Sequence, residues 1–158
     1  MESIGAALGS KIPSGILQNN ISWLESNSTL QILNLSGNTI GADGAASIGA
    51  ALQVNSTLLS LSLSENKLGE LGAQHLAEAI RINETLRNLL LINIDQGLQG
   101  TVLLRDALTL NSSLSHLGLT GLYLYQEIDL LTKRNHHNFE LKDTSLFYML
   151  SQWLQFQP

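Results

Sequence analysis

The chain of 158 residues lacks cysteine, has only two prolines, and carries few aromatic or charged side chains. Without cysteine it has no disulfide framework, no thiolate zinc site and no thiol nucleophile. The 8 Lys+Arg against 13 Asp+Glu leave a formal net charge of −5. This charge argues against nucleic-acid binding, because neutralising phosphates requires clustered cations. No apolar run is longer than five residues, which is far too short to span a membrane.

What the chain has in excess is leucine, at 34 residues, beside 13 asparagines. Four similar tetrapeptides begin at Asn27, Asn55, Asn83 and Asn111, each 28 residues after the one before. Leucines keep the same spacing, in one column of Leu33, Leu61, Leu89 and Leu117 and a second of Leu35, Leu63, Leu91 and Leu119. A fixed period of roughly 20–50 residues is the signature of stacked repeats.

Within each repeat the hydrophobic period changes from that of a strand to that of a helix. Leu33 and Leu35 alternate with other residues, as in a strand that buries one face. Ala45, Ile48 and Leu52 follow the i, i+3, i+7 spacing of an amphipathic helix. One such unit cannot bury its apolar stripe alone, so neighbouring repeats must stack and their strands must run parallel.

The first repeat reads Leu30-x-x-Leu33-x-Leu35-x-x-Asn38-x-Ile40-x-x-x-Gly44-x-x-x-Ile48-x-x-x-Leu52. This pattern and its 28-residue length resemble the leucine-rich repeat of the ribonuclease-inhibitor-like class. The resemblance implies an α/β fold, a right-handed leucine-rich-repeat solenoid that forms a short horseshoe with parallel strands on the concave side and helices on the convex side. It also implies protein binding, because this class serves mainly as a recognition scaffold.

The repeats divide the chain into three parts. Residues 27–138 hold four repeats of 28 residues, and residues 1–26 form an N-terminal helical cap or a truncated repeat. Residues 139–158 form a C-terminal helical cap, in which Leu146, Leu150 and Trp153 share one face. Terminal repeats need such covers because their core is otherwise open to water.

The turn after each strand is less regular than the strand. Its asparagine position holds, in the four repeats, Asn38, Asn66, Ile94 and Leu122. Because an asparagine there caps backbone groups of the turn, we expect irregular turns in the last two repeats. A register shifted by one residue would make Asn93 the turn asparagine and exchange the faces of Leu90 and Leu91. We favour the unshifted register, since the flanking leucines keep the period.

Asparagine followed two residues later by serine or threonine occurs at Asn20, Asn27, Asn34, Asn55, Asn83 and Asn111. Such triplets accept N-linked glycans in secreted proteins. Four of them follow the predicted helices, where asparagine tolerates left-handed backbone geometry and ends a helix. We therefore interpret these four as structural positions.

The concave face, made of the strand side chains that alternation turns away from the core, is nearly uncharged. Leu90 and Ile92 interrupt its polar residues, and exposed apolar groups of this kind give a partner a desolvated anchor. The predicted protein-binding residues are Leu90, Ile92, Asn34, Ser62, Ser64, Glu65, Asn93, His116 and Thr120. The alternative is that a neighbouring loop or the C-terminal segment covers Leu90 and Ile92.

No arrangement of reactive side chains points to catalysis. The four histidines lie at His75, His116, His136 and His137, and none of them form the i, i+4 pair of a helical zinc site. The sequence also lacks a nucleophile elbow and a glycine-rich phosphate loop. We expect no enzyme activity, no metal and no cofactor, and a monomer whose partner is a protein.

Two functions remain open: a protein-interaction module, or a structural or sensing segment of a larger regulatory protein such as a nucleotide-binding immune receptor. The asparagine-rich, cysteine-free composition also resembles the leucine-rich-repeat effectors that intracellular bacteria such as Legionella deliver into host cells. That resemblance implies secretion by a bacterium into the host cytosol. Otherwise we expect a cytoplasmic protein, since no basic stretch followed by an apolar run suggests a secretory signal.

Overall fold

Strands and helices alternate along the chain. The structure is a computed structural model that describes residues 21–120 and 125–136. Its elements are α1 (Ser22–Ser26), β1 (Ile32–Asn34), α2 (Ala42–Val54), β2 (Ser60–Ser62), α3 (Gly69–Ile82), β3 (Asn88–Leu91), α4 (Gly97–Leu110), β4 (His116–Leu119) and α5 (Tyr125–His136). The predicted C-terminal cap, and most of the N-terminal one, lie outside the described residues. Within the described part, no helix is both long and apolar enough to cross a membrane.

The strands form one parallel sheet in the order β1-β2-β3-β4. Each strand residue pairs with the residue 28 positions along the chain, so that Leu61 lies between Leu33 and Leu89. Leu91 is fully buried, whereas Leu90 is only half-buried and alternates to the opposite face. The unshifted register is therefore confirmed.

The core lies between the sheet and the helices. The inward leucines of the first three repeats are exposed by 1% or less, and they are Leu33, Leu35, Leu61, Leu63, Leu89 and Leu91. The buried stripe of the helices consists of Ile48, Leu52, Leu76, Ile80, Leu104 and Leu108. Thr132 continues the stripe in α5, and its hydroxyl is satisfied because it donates to the carbonyl of Ile128 at 3.0 Å. Repetition of one buried pattern thus builds one continuous core.

Glycines allow the helices to approach one another closely. A Cβ on Gly72 would lie 3.1 Å from the Cβ of Ala45 in the preceding helix. A Cβ on Gly100 would lie 2.9 Å from the Cβ of Ala73. The second distance is shorter than real side chains show, and the first would force Ala45 to move by a few tenths of an ångström. The repeated glycine at this position therefore lets neighbouring helices stack closely.

The second turn is organised around the buried side chain of Asn66. Its Nδ2 donates to the carbonyls of Leu35 and Leu63 at 2.9 and 2.8 Å. Its Oδ1 accepts from the backbone N–H groups of Asn38 and Ile40 at 2.9 and 3.0 Å. One amide thus joins the first and second turns, which confirms the predicted capping role of this position.

The third turn differs because the buried Ile94 takes the asparagine position and cannot form these bonds. Its left-handed residues are Asn93, Asp95 and Gly97, a set that neither earlier turn repeats. Gln96 instead reaches the fourth repeat, where its Nε2 donates to the carbonyl of Thr120 at 2.7 Å. The third turn is therefore irregular, as predicted; most of the fourth turn lies outside the described residues.

The asparagines that follow the helices do not adopt left-handed geometry, so that prediction is wrong. Their φ angles lie between −88° and −71°, in extended backbone, at Asn27, Asn55, Asn83 and Asn111. Helices leave their last carbonyl groups without partners. The side chains of Asn55, Asn83 and Asn111 each donate to such a carbonyl, at the end of the helix one repeat before the helix that they follow. We call these four residues the asparagine ladder.

Asn83 shows how a rung of the ladder works. Its Nδ2 donates to the carbonyls of Leu52, near the end of α2, and of Asn55, directly after α2, at 2.7 and 3.1 Å. Its Oδ1 accepts from the backbone N–H groups of Thr85 and Leu86 at 3.0 and 2.7 Å. Asn55 and Asn111 make the equivalent four bonds in their own repeats. The ladder thus connects each of these loops to the preceding loop and to the end of the helix that leads into that preceding loop.

The ladder ends on a different pair of side chains. The guanidinium of Arg134 donates to the carbonyls of Leu108 and Asn111 at 2.9 and 2.6 Å. These carbonyls correspond, one repeat later, to the pair that Asn111 itself binds. Asn135 donates to the carbonyls of Asn111 and Leu114 at 3.1 and 2.7 Å. Burial lowers the pKa of Arg134, as expected for a charge drawn partly from water.

Candidate functional site

The register arranges the concave face in three rows that cross the four strands. The first two rows are Ile32, Ser60, Asn88 and His116, then Asn34, Ser62, Leu90 and Gly118. Continuing the register past the strand ends gives a third row of Ser36, Ser64, Ile92 and Thr120. The predicted residues Leu90, Ile92, Asn34, Ser62, Ser64, His116 and Thr120 all fall on these rows. The structure therefore brings them onto one surface.

Leu90 and Ile92 differ in how much of each side chain is open. Ile92 is exposed by 39%, whereas Leu90 is half-buried. A Cβ on Gly118 would lie 2.8 Å from Cδ2 of Leu90, so the leucine occupies the space that a larger residue there would need. Gly118 of the neighbouring strand β4 thus lies directly beside Leu90. Ile92 is thus the more accessible apolar group of the pair.

The polar side chains of the face are hydrogen-bonded within the protein. The hydroxyls of Ser36 and Ser62 lie 2.7 Å apart across two strands. The Ser64 hydroxyl accepts from the backbone N–H of Ile92 at 3.2 Å. Thr120 accepts in the same way from the N–H of Asn93 at 3.0 Å. These bonds fix the polar surface around Ile92 before any partner arrives.

Glu65 and Asn93 form the rim of this surface, and both are exposed. Each has a left-handed backbone, with φ of 58° and 57°, which is uncommon for residues other than glycine. The N–H of Glu65 donates to the carbonyl of Ile92 at 2.7 Å. The rim residues therefore lie beside the exposed isoleucine.

The predicted patch omits one apolar residue of the same face. Ile32 is exposed by 69%, the largest value among the big apolar side chains of the described residues. Strand alternation in the sequence already predicts that Ile32 faces outward. The other residues of its row are Ser60, Asn88 and His116, so the sequence shows no apolar cluster around it. It lies two strands and two rows away from Ile92. Ile32 is therefore a second, separate apolar point on the concave face.

Nothing among residues 21–120 and 125–136 brings three or more metal-ligating side chains together. His116 lies exposed at the end of the first row. His75 lies on a helix, where its Nδ1 is 4.0 Å from a carboxylate oxygen of Glu78. In the described part of the chain the candidate site is therefore a surface of hydroxyls, amides and isolated apolar groups, with the imidazole of His116 at one end and the carboxylate of Glu65 on the rim.

Comparisons with known proteins agree with this geometry. The family described as leucine-rich repeat matches residues 26–49 and 54–77. No curated protein sequence matches the chain. The solved structure of leiomodin-1 actin-binding site 2 is 24% identical with a TM-score of 0.74, and the match covers 92% of this chain and 83% of that one. The Caenorhabditis elegans tropomodulin C-terminal domain is 15% identical with a TM-score of 0.52, over 85% of this chain and 99% of that one. The fold is an α/β leucine-rich-repeat solenoid.

Proposed function

We propose that this chain is a protein-interaction module that binds a protein partner through its concave face and the rim at Glu65 and Asn93. The observation that carries the proposal is the exposed Ile92 among polar groups that already bond to one another. An apolar group at such a position adds little to folding, whereas a partner that covers it removes it from water. The fixed surroundings lower the conformational cost of binding.

The structural neighbours support a protein as the partner. The leiomodin-1 structure is that of an actin-binding site, so purified actin is the first partner to test. Affinity capture from a eukaryotic lysate, followed by mass spectrometry, extends the search to other proteins.

Ile92→Ser tests the site more sharply than a change at Leu90, because Leu90 also packs on Gly118. We expect Ile92→Ser to weaken partner binding by about tenfold or more, a loss typical of a central anchor. Its melting temperature should stay close to that of the unchanged chain. Titration calorimetry or anisotropy with the captured partner measures the first effect, and thermal unfolding measures the second.

Leu71→Ser is the matched control, since it removes an apolar group exposed by 64% from a helix instead of the concave face. The control should bind the partner normally. Equal loss of binding in both variants, or undiminished binding by Ile92→Ser, would place the interaction elsewhere. The double change of Leu90 and Ile92 to serine should abolish binding, at some cost in stability from the contact with Gly118.

The proposal extends to the class of repeat and to the place of action. A ribonuclease-inhibitor-like repeat, acting as a bacterial effector on proteins of the host cytosol, is supported by the repeat length and by the cysteine-free, asparagine-rich composition. Expression in a bacterium with a host-directed secretion system, with the chain fused to a reporter active only in host cytosol, tests this extension. A signal no higher than that of the unfused reporter would leave a cytoplasmic interaction module without an effector role.

A further inference from the structure

The residue that follows the third row in each repeat has a left-handed backbone. In the first three repeats it is Gly37, Glu65 and Asn93, with φ of 68°, 58° and 57°. The N–H of Gly37 donates to the carbonyl of Ser64 at 2.9 Å, and the N–H of Glu65 donates to that of Ile92 at 2.7 Å. Bonds between neighbouring repeats therefore hold the first two of these residues in this conformation.

Glu65 is the residue of the three whose side chain suits this backbone least. Glycine has no Cβ and adopts a positive φ without strain, and asparagine is several-fold enriched in the left-handed region. A glutamate has neither advantage, so the fold retains local strain at Glu65. Residues held in strained conformations are concentrated at functional sites. The side chain of Glu65 is therefore a candidate for a function other than folding.

The Glu65 carboxylate has no bonding partner among residues 21–120 and 125–136. It makes no hydrogen bond and no ion pair with them, and the residue is exposed. Lys67 is exposed two positions later, and it forms no ion pair with Glu65. An exposed carboxylate of this kind adds little to stability, so the group stays available to a molecule outside the chain.

The edge of the concave face beside Ile92 is acidic overall. The turns after β1, β2 and β3, with the first turns of the helices that follow them, hold four acids and one base. These residues are Asp43, Glu65, Lys67, Glu70 and Asp95, and all of them are exposed. Glu65 is the acid whose backbone bonds directly to Ile92. Its carboxylate is thus attached next to the exposed apolar group.

Bases other than Lys67 lie away from this edge. Arg87 directly precedes β3 and thus lies at the opposite end of that strand. The remaining bases of the described residues are in the second halves of helices α3, α4 and α5. A cation that approaches Ile92 therefore meets more negative than positive charge, and Glu65 is the acid placed to pair with it.

We propose that Glu65 determines the specificity of the concave face by binding a lysine or arginine of the partner, next to the apolar side chain that covers Ile92. The inference rests on the function proposed above, because it names the partner's chemistry at the same site. Covering Ile92 removes water from its surroundings, and a charge pair is stronger where less water separates the two charges. Like charge at this position of a partner is repelled, which is how charge pairs select among partners.

The test uses a phage-displayed library of random peptides as the probe and the full chain as the receptor. Peptides of about 12 residues, at about 3.3 Å per residue, are long enough to cross the sheet of four strands. The library is panned separately on the unchanged chain, on Glu65→Lys and on Ile92→Ser. Peptides that the Ile92→Ser chain also retains bind elsewhere and are discarded.

We expect the peptides selected by the unchanged chain to carry lysine or arginine close in sequence to a large apolar residue. The Glu65→Lys chain should select aspartate or glutamate at that place instead. Peptides without a charge preference would overturn the proposal, and so would acidic peptides on the unchanged chain, which would assign recognition to Lys67. If no peptide depends on Ile92, the proposed function itself fails, and this inference fails with it.

Anisotropy measurements with the most enriched peptide then isolate the charge. Glu65→Gln should weaken binding by about threefold or more and should remove most of its salt dependence. Glu84→Gln is the matched control, because Glu84 is exposed in a loop that precedes β3, at the other end of that strand. Equal weakening by both variants would reduce the effect to net charge and overturn the proposal.

Glu65→Gly tests the premise that the glutamate is not required for folding. The variant places in the second repeat the residue that the first repeat has at Gly37. We expect a melting temperature at least equal to that of the unchanged chain, because the backbone strain is relieved, together with the weaker peptide binding of Glu65→Gln. A clearly lower melting temperature would show that the side chain serves the fold, and would overturn the proposal.

Discussion

The four hydrogen bonds of a ladder asparagine satisfy groups that the chain could not otherwise pair. In the rung at Asn83, two acceptors are a helix-end carbonyl and a loop carbonyl of the preceding repeat, and two donors are N–H groups of its own loop. The residue is exposed by only 6%, so water does not substitute readily. A buried polar group that loses its partner costs about 1–3 kcal/mol.

Asn83→Leu should therefore lower the free energy of unfolding by about 2–5 kcal/mol, because it removes partners from four backbone groups at once. Urea unfolding followed by circular dichroism measures the loss. Asn88→Leu is the control, since Asn88 is exposed on the concave face, and surface changes usually shift stability by about 0.5 kcal/mol or less. Similar losses in both variants would show that the ladder bonds contribute nothing specific.

Asn83→Asp adds a pH dependence to the same position. The introduced carboxyl would keep the acceptor side of the amide but would face two carbonyl oxygens with its other oxygen. Burial and these carbonyls raise its folded pKa above the unfolded value of about 3.9. The variant's loss in the free energy of unfolding, relative to the unchanged chain, should thus be smallest below about pH 4. It should increase as the pH rises. A deficit that does not change with pH would contradict this reasoning.

At the residue scale the sequence predicted positions better than conformations. The asparagine column was evident from its spacing, but the left-handed geometry expected there was wrong. The backbone stays extended because the side chain of Asn83 bonds to the carbonyl of Asn55, 28 residues earlier. No local pattern reveals such a long-range bond. Likewise, alternation turned Leu90 outward correctly, yet its partial cover depends on Gly118 in the next strand.

The positions of the helices and strands follow the 28-residue period of the sequence, except at the C-terminal end of the repeats, where the period is lost. After Asn111 the next ladder position is Phe139, which has no amide. Arg134 and Asn135, both in the last turn of α5, supply the donors instead. Their position does not match the 28-residue column, so the sequence pattern could not assign them this role.

Arg134→Ala should destabilise α5, because the carbonyls of Leu108 and Asn111 would lose charged donors, whose bonds contribute about 1.5–3 kcal/mol each. We expect a loss of about 1–3 kcal/mol in the free energy of unfolding, less than the sum of the two bonds, because water can replace part of each bond at these part-buried carbonyls. Hydrogen exchange should show faster opening of residues 125–136 than in the unchanged chain.

Lys133→Ala is the control for that variant. Lys133 is 63% exposed and pairs with Asp129 one helical turn away, and such surface pairs contribute about 0.3–0.5 kcal/mol. If both variants show the same small loss, the guanidinium is not a required end of the ladder.

At the scale of the whole molecule, the stacked architecture was predictable because every repeat carries the same signal. A solenoid has two ends, however, and each end exposes a core face that no further repeat covers. In the fourth repeat Leu119 is only half-buried, unlike Leu35, Leu63 and Leu91 of the same column. The role of residues 139–158 as the cover at this end stays a prediction.

Deleting residues 139–158 should lower the melting temperature substantially or cause aggregation, because an uncovered core end attracts other chains. Differential scanning calorimetry and light scattering provide the two measurements. A shorter deletion of residues 155–158, which leaves Leu146, Leu150 and Trp153 in place, should have little effect. A long truncation that stays monomeric and equally stable would refute the cap.

The asparagine ladder also determines which modifications the folded chain can accept. An N-linked glycan is attached to the side-chain nitrogen, and at Asn55, Asn83 and Asn111 that nitrogen is directed at two carbonyls inside the protein. A sugar there would displace a bond and force its bulk into the join between two repeats. These three acceptor triplets therefore cannot carry glycans in the folded protein, whatever compartment it enters. Asn34, exposed in the middle of the concave face, remains accessible, and a glycan there would cover the face that we assign to the partner.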